Sequence, residues 1–509
     1  MAQFQLKKTV LIESLPVIVA ALLICSPYAN PPGAAFSDGV NEEENLSDLN
    51  ECTTGVASGL ATPDGRPLLW KNRDVSLSDQ EFHYVDDGRI PFISITYRGE
   101  DDEYHGGINA AGFALENSNS YNLPNGPYRN GWGGGDDDGE IHMLALSTCR
   151  TIDDFQRILD STNVDGRTLN SNYGAFDAFG GAAMFETGGY SYRRIDAAET
   201  PDGFIVRSNY SYSGHGLDNR PSYWGPHRHD RAYDLWKQAK EDNNLTPRYI
   251  YQQVIRDLTI EGCDPYPLPF DGYIENNHYG CIPNGEAICR STTKGVLVAQ
   301  GVEDGARPDD AIIWAMLGNQ IGTVAIPLWV RAGSVPVEVD GDPGSRICDR
   351  GQQIANWVYA EGGVNTWKLT NPQHTGIWDY TFPLEDWVFA KTERFVNSPM
   401  YDHDRLEAFQ NQTARQVADS LDAWHPSSDV TEIFEVGVED NNIRLVWNGE
   451  LDRDLYGGDL SPRGYNVYRS DEPFRDGERG ELIAFVEGTR YVDRDAPNGR
   501  AFYRVKVVF

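Results

Sequence analysis

Short apolar runs separated by turns rich in Gly, Asp and Asn dominate the first two thirds of the chain. Gly55-Val56-Ala57 and Leu68-Leu69-Trp70 flank Asp64-Gly65, a hairpin dipeptide, and predict two strands folded back on each other. Residues 90–97 and 112–115 extend this strand pattern. Residues 173–176, 182–186 and 204–206 extend it further. The period then changes. Thr151 with Asp154 forms a capping box ahead of Ile152, Phe155, Ile158 and Leu159, which share one helical face. Arg228 and Arg231 open a helix over 232–241. Thr246-Pro247 starts another, with Ile250, Val254, Ile255 and Leu258 as its apolar stripe. Residues 294–302, 311–316 and 323–330 read as late core strands, and 380–424 as helical with Leu406, Phe409, Val417 and Leu421 on one side. Alternating strand and helix runs predict an α+β fold in which two sheets pack face to face between helices.

Beyond His425-Pro426-Ser427-Ser428 only short strands recur, at 443–447, 464–469, 482–486, 491–493 and 502–507. Alternation with turns between them predicts a small antiparallel sandwich over 430–509.

The chain opens differently. Lys7 and Lys8 precede an apolar run, and Gly33-Ala34-Ala35 supplies small residues, so 1–35 reads as a secretory signal peptide. The uninterrupted apolar part, 15–24, is too short to span a bilayer, and no other stretch suffices; no membrane span is expected. Residues 36–51 are polar and acidic and should not fold alone. They are either a linker or a propeptide whose removal leaves Cys52 first.

The second option has a chemical logic. An N-terminal cysteine carries its own base, because an α-amino group titrates near 8 and can take the thiol proton near neutral pH. The predicted hairpin returns Asp74 to the neighbourhood of Cys52, delivering a thiol and a carboxylate together. A cysteine at a strand start is more commonly a core residue or half of a disulfide, so upstream context carries the weight.

Cys52-Thr53-Thr54, then Asp64-Gly65, then Lys71-Asn72-Arg73-Asp74 resembles the opening of the cysteine N-terminal-nucleophile (Ntn) hydrolases. These include the acyl-CoA:6-aminopenicillanic acid acyltransferases (peptidase family C45), penicillin V acylase and choloylglycine hydrolase. Lys71 stands where the family has Arg or Gln. The run from Gly106 to Asn119 resembles the strand whose downstream Asn helps form the oxyanion hole; Asn119 fits best, with Asn117 beside it and Ala110 in place of the family's Glu. Asn172-Tyr173 with Asp177 resembles the second oxyanion segment. Ser208-Asn209-Tyr210 resembles a Thr-Asn-aromatic strand, and Arg228 the arginine near the active site.

The resemblance implies an αββα Ntn-hydrolase domain over 52–425. It assigns catalytic roles to Cys52, Asp74, Asn119, Asn172 and Arg228, and substrate contacts to Lys71 and Asn117. The implied reaction is cleavage or transfer at a linear non-peptide amide bond of a small molecule, without cofactor. Rival readings are a dipeptidase of the C69 type and a non-catalytic secreted binding protein. Residues 430–509 resemble a fibronectin type III domain, which implies a spacer or attachment to a cell surface or polysaccharide.

A net charge of −34 argues against nucleic acid as partner. A secreted or periplasmic location would permit disulfides, and Cys263, Cys281 and Cys289 stand closest together for pairing. His227 and His229, two apart, are a weak metal signal, and no metal is assigned. The run 133–138 reads as a solvated acidic loop.

Overall fold

A computed structural model describes residues 51–124, 137–272, 274, 280–341, 344–360, 363–372, 374–398, 405–426, 433–439, 442–447, 464–470, 481–488, 490–495 and 501–508. The predicted signal peptide, nearly all of the predicted propeptide and the Gly-Asp run at 133–136 lie outside them. The chain divides into two units. The larger holds the described residues up to Leu369 together with Ile377–Ala423; the smaller holds Thr370–Gly376 and residues from Trp424 onward.

The larger unit is built on two antiparallel sheets. The first has the strand order β10-β1-β2-β12-β13-β14. Its members are β1 (Glu51–Ala57), β2 (Leu68–Asp74), β10 (Phe204–Arg207), β12 (Thr293–Gln300), β13 (Ile312–Leu317) and β14 (Ile326–Leu328). The second runs in chain order through β3 (Gln80–Val85), β4 (Phe92–Tyr97), β5 (Gly106–Asn109), β6 (Ala114–Asn119), β7 (Ser171–Phe176), β8 (Ala182–Thr187) and β9 (Tyr192–Asp196). The sheets pack face to face. Strand β2 is buried along its whole length, charged positions included, because it lies in the middle of a sheet covered on both faces.

Helices cover the outer faces. Over the second sheet, α1 (Asp137–Thr148) and α2 (Ile152–Asp165) pack Ile141, Leu146, Phe155 and Leu159 against Leu115, Tyr173 and Phe185. The predicted capping box is present: Thr151 accepts from the Asp154 amide, and Asp154 accepts from the Thr151 amide. Over the first sheet lies α3 (Pro226–Glu241), whose start falls six residues before the predicted one. Its Trp236 lies 5.8 Å from Trp70, ring to ring. The expected helix after Thr246-Pro247 is a short α4 (Pro247–Tyr249) that widens into a π-type turn over Ile250–Val254. A small sheet joins β11 (Cys281–Ile282), β15 (Tyr359–Ala360) and β16 (Gly363–Asn365). α5 (Arg346–Val358) and α6 (Thr366–Leu369) adjoin it, and the region read as helical from 380 is two helices, α7 (Ile377–Val396) and α8 (Leu406–Ala423).

In the smaller unit the strands form two three-stranded antiparallel sheets. One is β17 (Ile433–Glu439), β18 (Asn442–Trp447) and β21 (Arg490–Asp493); the other is β20 (Glu481–Val486), β19 (Gly464–Ser470) and β22 (Phe502–Val508). Leu445, Tyr465, Val467, Tyr503 and Val505 share its core. Asp493 accepts from the Tyr503 hydroxyl at 2.7 Å and from Arg469.

Gly55 fixes how closely α3 approaches β1. A Cβ there would stand 2.7 Å from the Trp236 ring, inside contact distance of a rigid side chain. Gly55→Ala should therefore destabilise the larger unit by about 1–3 kcal/mol through overpacking. Urea denaturation checks this, and a Trp236→Leu change in the Gly55→Ala background should restore part of the loss, with costs that are not additive.

Candidate active site

The site is built at the open end of β1 and β2. Their register opposes Cys52 to Arg73 and Thr54 to Lys71, and sets Glu51 against Asp74. Directly opposed residues share a face. The thiol therefore belongs to the face of Lys71 and Arg73, which looks between the sheets. The Asp74 carboxylate belongs to the face of Glu51, which looks outward. The hairpin brings Asp74 beside Cys52, its amide bonding the thiol, while register sets the carboxylate on the opposite face of the strand pair.

What gathers around that backbone comes from distant chain. The Cys52 amide N–H donates to Asn209 Oδ1 at 3.2 Å. Arg228, near the start of α3, donates through Nη1 to the Cys52 carbonyl at 2.9 Å and to Thr53 Oγ1 at 2.8 Å. Its Nη2 donates to Asn209 Oδ1 at 3.1 Å and to Glu51 Oε2 at 3.1 Å. Arg290 also donates to Glu51 Oε2. Asp74 Oδ1 accepts from Thr293 Oγ1 at 2.6 Å, while Oδ2, without a hydrogen bond among the described residues, faces Arg290 Nε at 3.9 Å. One guanidinium thus reaches the Glu51 side chain and the Cys52 carbonyl, on either side of the peptide bond between these residues, while Asn209 holds that bond's nitrogen. Gly225 makes this possible: it adopts φ 68°, and a Cβ there would lie 2.3 Å from Arg228 Nη2.

The remaining sequence candidates take other places. Lys71 Nζ donates to Asn117 Oδ1 on β6 at 2.6 Å and to the carbonyl of His105, which leads into β5, at 2.9 Å. It bridges the two layers, and Asn117 is its anchor. The Asn172 amide is committed on both ends. It donates to Ser118 Oγ and to the Ser208 and Tyr210 carbonyls, and it accepts from Ser211 Oγ at 2.6 Å. That places it as a brace for the segment just beyond β10 that carries Asn209. Asn119 offers its carbonyl to Asn209 Nδ2 at 3.1 Å, which leaves its own side-chain amide outside that bond. The two histidines diverge: His227 meets the Thr259 carbonyl, whereas His229 sits between Tyr212 and Asp230.

Burial raises the Cys52 thiol pKa above its ordinary value of 9.0. Lys71, the Asp74 amide and Arg73 oppose the shift, and the Asp74 charge adds to it. The thiol is therefore protonated at neutral pH and needs a base. Burial likewise raises Asp74 from 3.8 to about 6 against the pull of Arg290, Arg228 and the Thr293 hydroxyl, and Glu51 pushes it further up. Burial lowers Arg228, as does Arg290, while Glu51 and Asp74 raise it. The other cysteines are less suited. Cys289 is a buried thiol rather than the disulfide partner expected, with its pKa pushed up to about 12. Cys149 and Cys348 are also buried thiols.

A cleft of about 460 Å³ opens onto Glu51, with Tyr223, Arg228 and Arg290 in its wall. Arg290 and Thr293 were missed in the sequence. They follow Cys289 in a turn-rich stretch that carries no spacing signal. Asn209 was visible as part of a motif but was given no role.

No family model matches the sequence, and no curated protein sequence matches it. Among solved structures, the chain is similar to a mutant of conjugated bile acid hydrolase from Clostridium perfringens, at 12% identity over 52% of this chain and 89% of that one, with a TM-score of 0.32. It is also similar to penicillin V acylase from Agrobacterium tumefaciens, at 12% identity over 55% and 85% of the two chains, with a TM-score of 0.31. Likeness of this depth does not bear on chemistry, which rests on the site itself.

The raised Asp74 pKa has a measurable sign. Between 3.8 and about 6 the folded state holds a proton on Asp74 that the unfolded chain has lost, so stability falls as pH rises through that window. Asp74→Asn cannot titrate. In a Cys52→Ala background, which keeps Glu51 attached, stability should fall from pH 4 to pH 7 relative to the same protein carrying Asp74→Asn by on the order of 2–3 kcal/mol, measured by denaturation at each pH.

Proposed function

We propose that this chain is the precursor of an exported cysteine Ntn amidohydrolase, which cuts its own Glu51–Cys52 bond and then cleaves a linear non-peptide amide. The observation that carries the reading is the grip on that bond. Asn209 holds the nitrogen that would become the α-amine, and Arg228 spans Glu51 and Cys52 beside a thiol whose charged neighbours among the described residues are Lys71, Asp74 and Arg73.

Maturation runs as an N-to-S shift. The Cys52 sulfur attacks the Glu51 carbonyl carbon, the C–N bond breaks, and the thiol proton passes to the departing nitrogen. Water then hydrolyses the thioester, returning the thiol and leaving Glu51 with a new carboxylate. The free amine next serves as base for the same thiol. Asn209 Oδ1 orients it, and Asp74 holds its protonated form. Sulfur attacks the substrate carbonyl, the amine returns the proton to the leaving nitrogen, and water or an acceptor amine releases the acyl group. Oxyanion donors come from Asn119 and from backbone N–H groups; such a donor is worth about 3 kcal/mol. Asn172 supports this set through the segment that carries Asn209. Cys52 acts in the field of Lys71 and Arg73, both of which favour the thiolate.

Two outcomes test this. Intact-mass analysis of the secreted protein should find a chain beginning at Cys52, and Cys52→Ala should be both unprocessed and inactive. Active protein that still carries Glu51 on Cys52 would overturn the assignment. Asp74→Asn, folded by circular dichroism, should lose turnover by about a hundredfold or more, as expected when the group that sets the protonation of a catalytic base is removed. Near-normal turnover would remove Asp74 from the mechanism. Assays with dipeptides beside N-acyl amides separate this reading from the dipeptidase one.

A further inference from the structure

We propose that the acyl group of the substrate carries a carboxylate at the spacing of a glutaryl chain, bound by Arg228 and Arg290 where Glu51 sits in the precursor. The inference rests on the reading of Cys52 as an N-terminal nucleophile and deepens it.

In self-cleavage the acyl group transferred to the Cys52 sulfur is that of Glu51. In turnover it is that of the substrate. Both become thioesters on the same sulfur, so the contacts of Glu51 show what the acyl side of the site accepts. Those contacts are ionic. Glu51 Oε2 takes hydrogen bonds from Arg228 Nη2 and Arg290 Nη1. The two side chains are 1% and 11% exposed, against 16% for Glu51.

Removal of Glu51 takes away the one oxygen to which both guanidiniums donate. The other Arg228 bonds run to a carbonyl, a hydroxyl and an amide oxygen, all neutral. Among the described residues Arg290 Nε has no hydrogen-bond partner, and Asp74 at 3.9 Å is the carboxylate left in ion-pair contact with it. Two buried guanidiniums against one carboxylate leave an excess positive charge, which a low-dielectric site does not tolerate unpaired. The cleft of about 460 Å³ that opens there gives a ligand access.

Spacing narrows the class. From the carbonyl carbon of Glu51 three carbons lead to the carboxylate, which is the length of a glutaryl group. Glu261 and Glu286 also line the cleft and are exposed at its mouth, so a second anionic group farther out is disfavoured.

The test uses the mature full-length protein, shown by mass to begin at Cys52. Three p-nitroanilides are compared: glutaryl, its neutral primary-amide isostere, and butyryl. Glutaryl should have a kcat/KM about tenfold or more above both, expressed mainly in KM, as expected for charge-assisted hydrogen bonds. Arg290→Gln should collapse the ratio, and Arg290→Lys should restore part of it. Equal or faster cleavage of the neutral substrates by the processed protein would overturn the proposal while leaving the nucleophile assignment intact. If the processed protein cleaves none of the three, calorimetry with glutarate and its monoamide decides. Tighter binding of glutarate supports the proposal, and no preference overturns it. Protein whose Glu51–Cys52 bond stays intact overturns both readings.

Discussion

The site depends on burying one guanidinium, that of Arg228, at the start of a helix. A cation there opposes the helix dipole and loses its hydration, two costs that anions must offset. The offset comes from Glu51 and Asp74, with the Cys52 carbonyl and the Asn209 amide filling the remaining donors. This requirement ties α3 to the end of β1, and Gly225 gives the guanidinium room to fold back. Farther along the same helix, Trp236 over Gly55 holds the helix flat on the sheet. Electrostatics at one end and close packing at the other thus set a single orientation of helix on strand.

The interior between the sheets carries a second buried charge system. Lys71 crosses from β2 to Asn117 on β6, beside Glu116, whose pKa burial raises well above the ordinary carboxyl range. Burial pushes Glu116 toward its neutral form against the pull of the Lys71 charge, which also acts on the thiol of the same face. Gly174 belongs to this arrangement: a Cβ there would stand 2.2 Å from a Glu116 oxygen. A polar stripe through a sandwich core costs stability unless each group has a partner, and here Lys71 bridges the two sheets by direct hydrogen bonds to both Asn117 and the His105 carbonyl.

Legibility followed the range of the forces. The hairpin, the capping box at Thr151 and the late core strands were readable because turn chemistry and side-chain periodicity act over a few residues. The helix start at Pro226 was not, because Arg228 faces the strand end rather than the helix's apolar stripe. The face taken by Asp74 was missed because register decides it, and one residue of offset reverses it. Arg290 reaches Glu51 across 239 positions and Asn209 reaches Cys52 across 157. Neither pairing leaves a local trace. Asn172 matched a motif by spacing, yet its amide is used up within the strands, which only the surrounding hydrogen bonds reveal.

On the proposed reading, maturation retunes the site as well as opening it. Glu51 is one of the charges that hold Asp74 toward its protonated form. Its departure removes that push and leaves Arg290 and Arg228 to favour the ionised carboxylate. At the same moment the Cys52 nitrogen changes from an amide donor on Asn209 into an amine that can be protonated. The base and the anion that stabilises its conjugate acid therefore arise from one bond cleavage. Before that cleavage, Glu51 both neutralises the guanidiniums and blocks the cleft. A precursor held this way is stable because its charges are paired and inactive because its base does not yet exist.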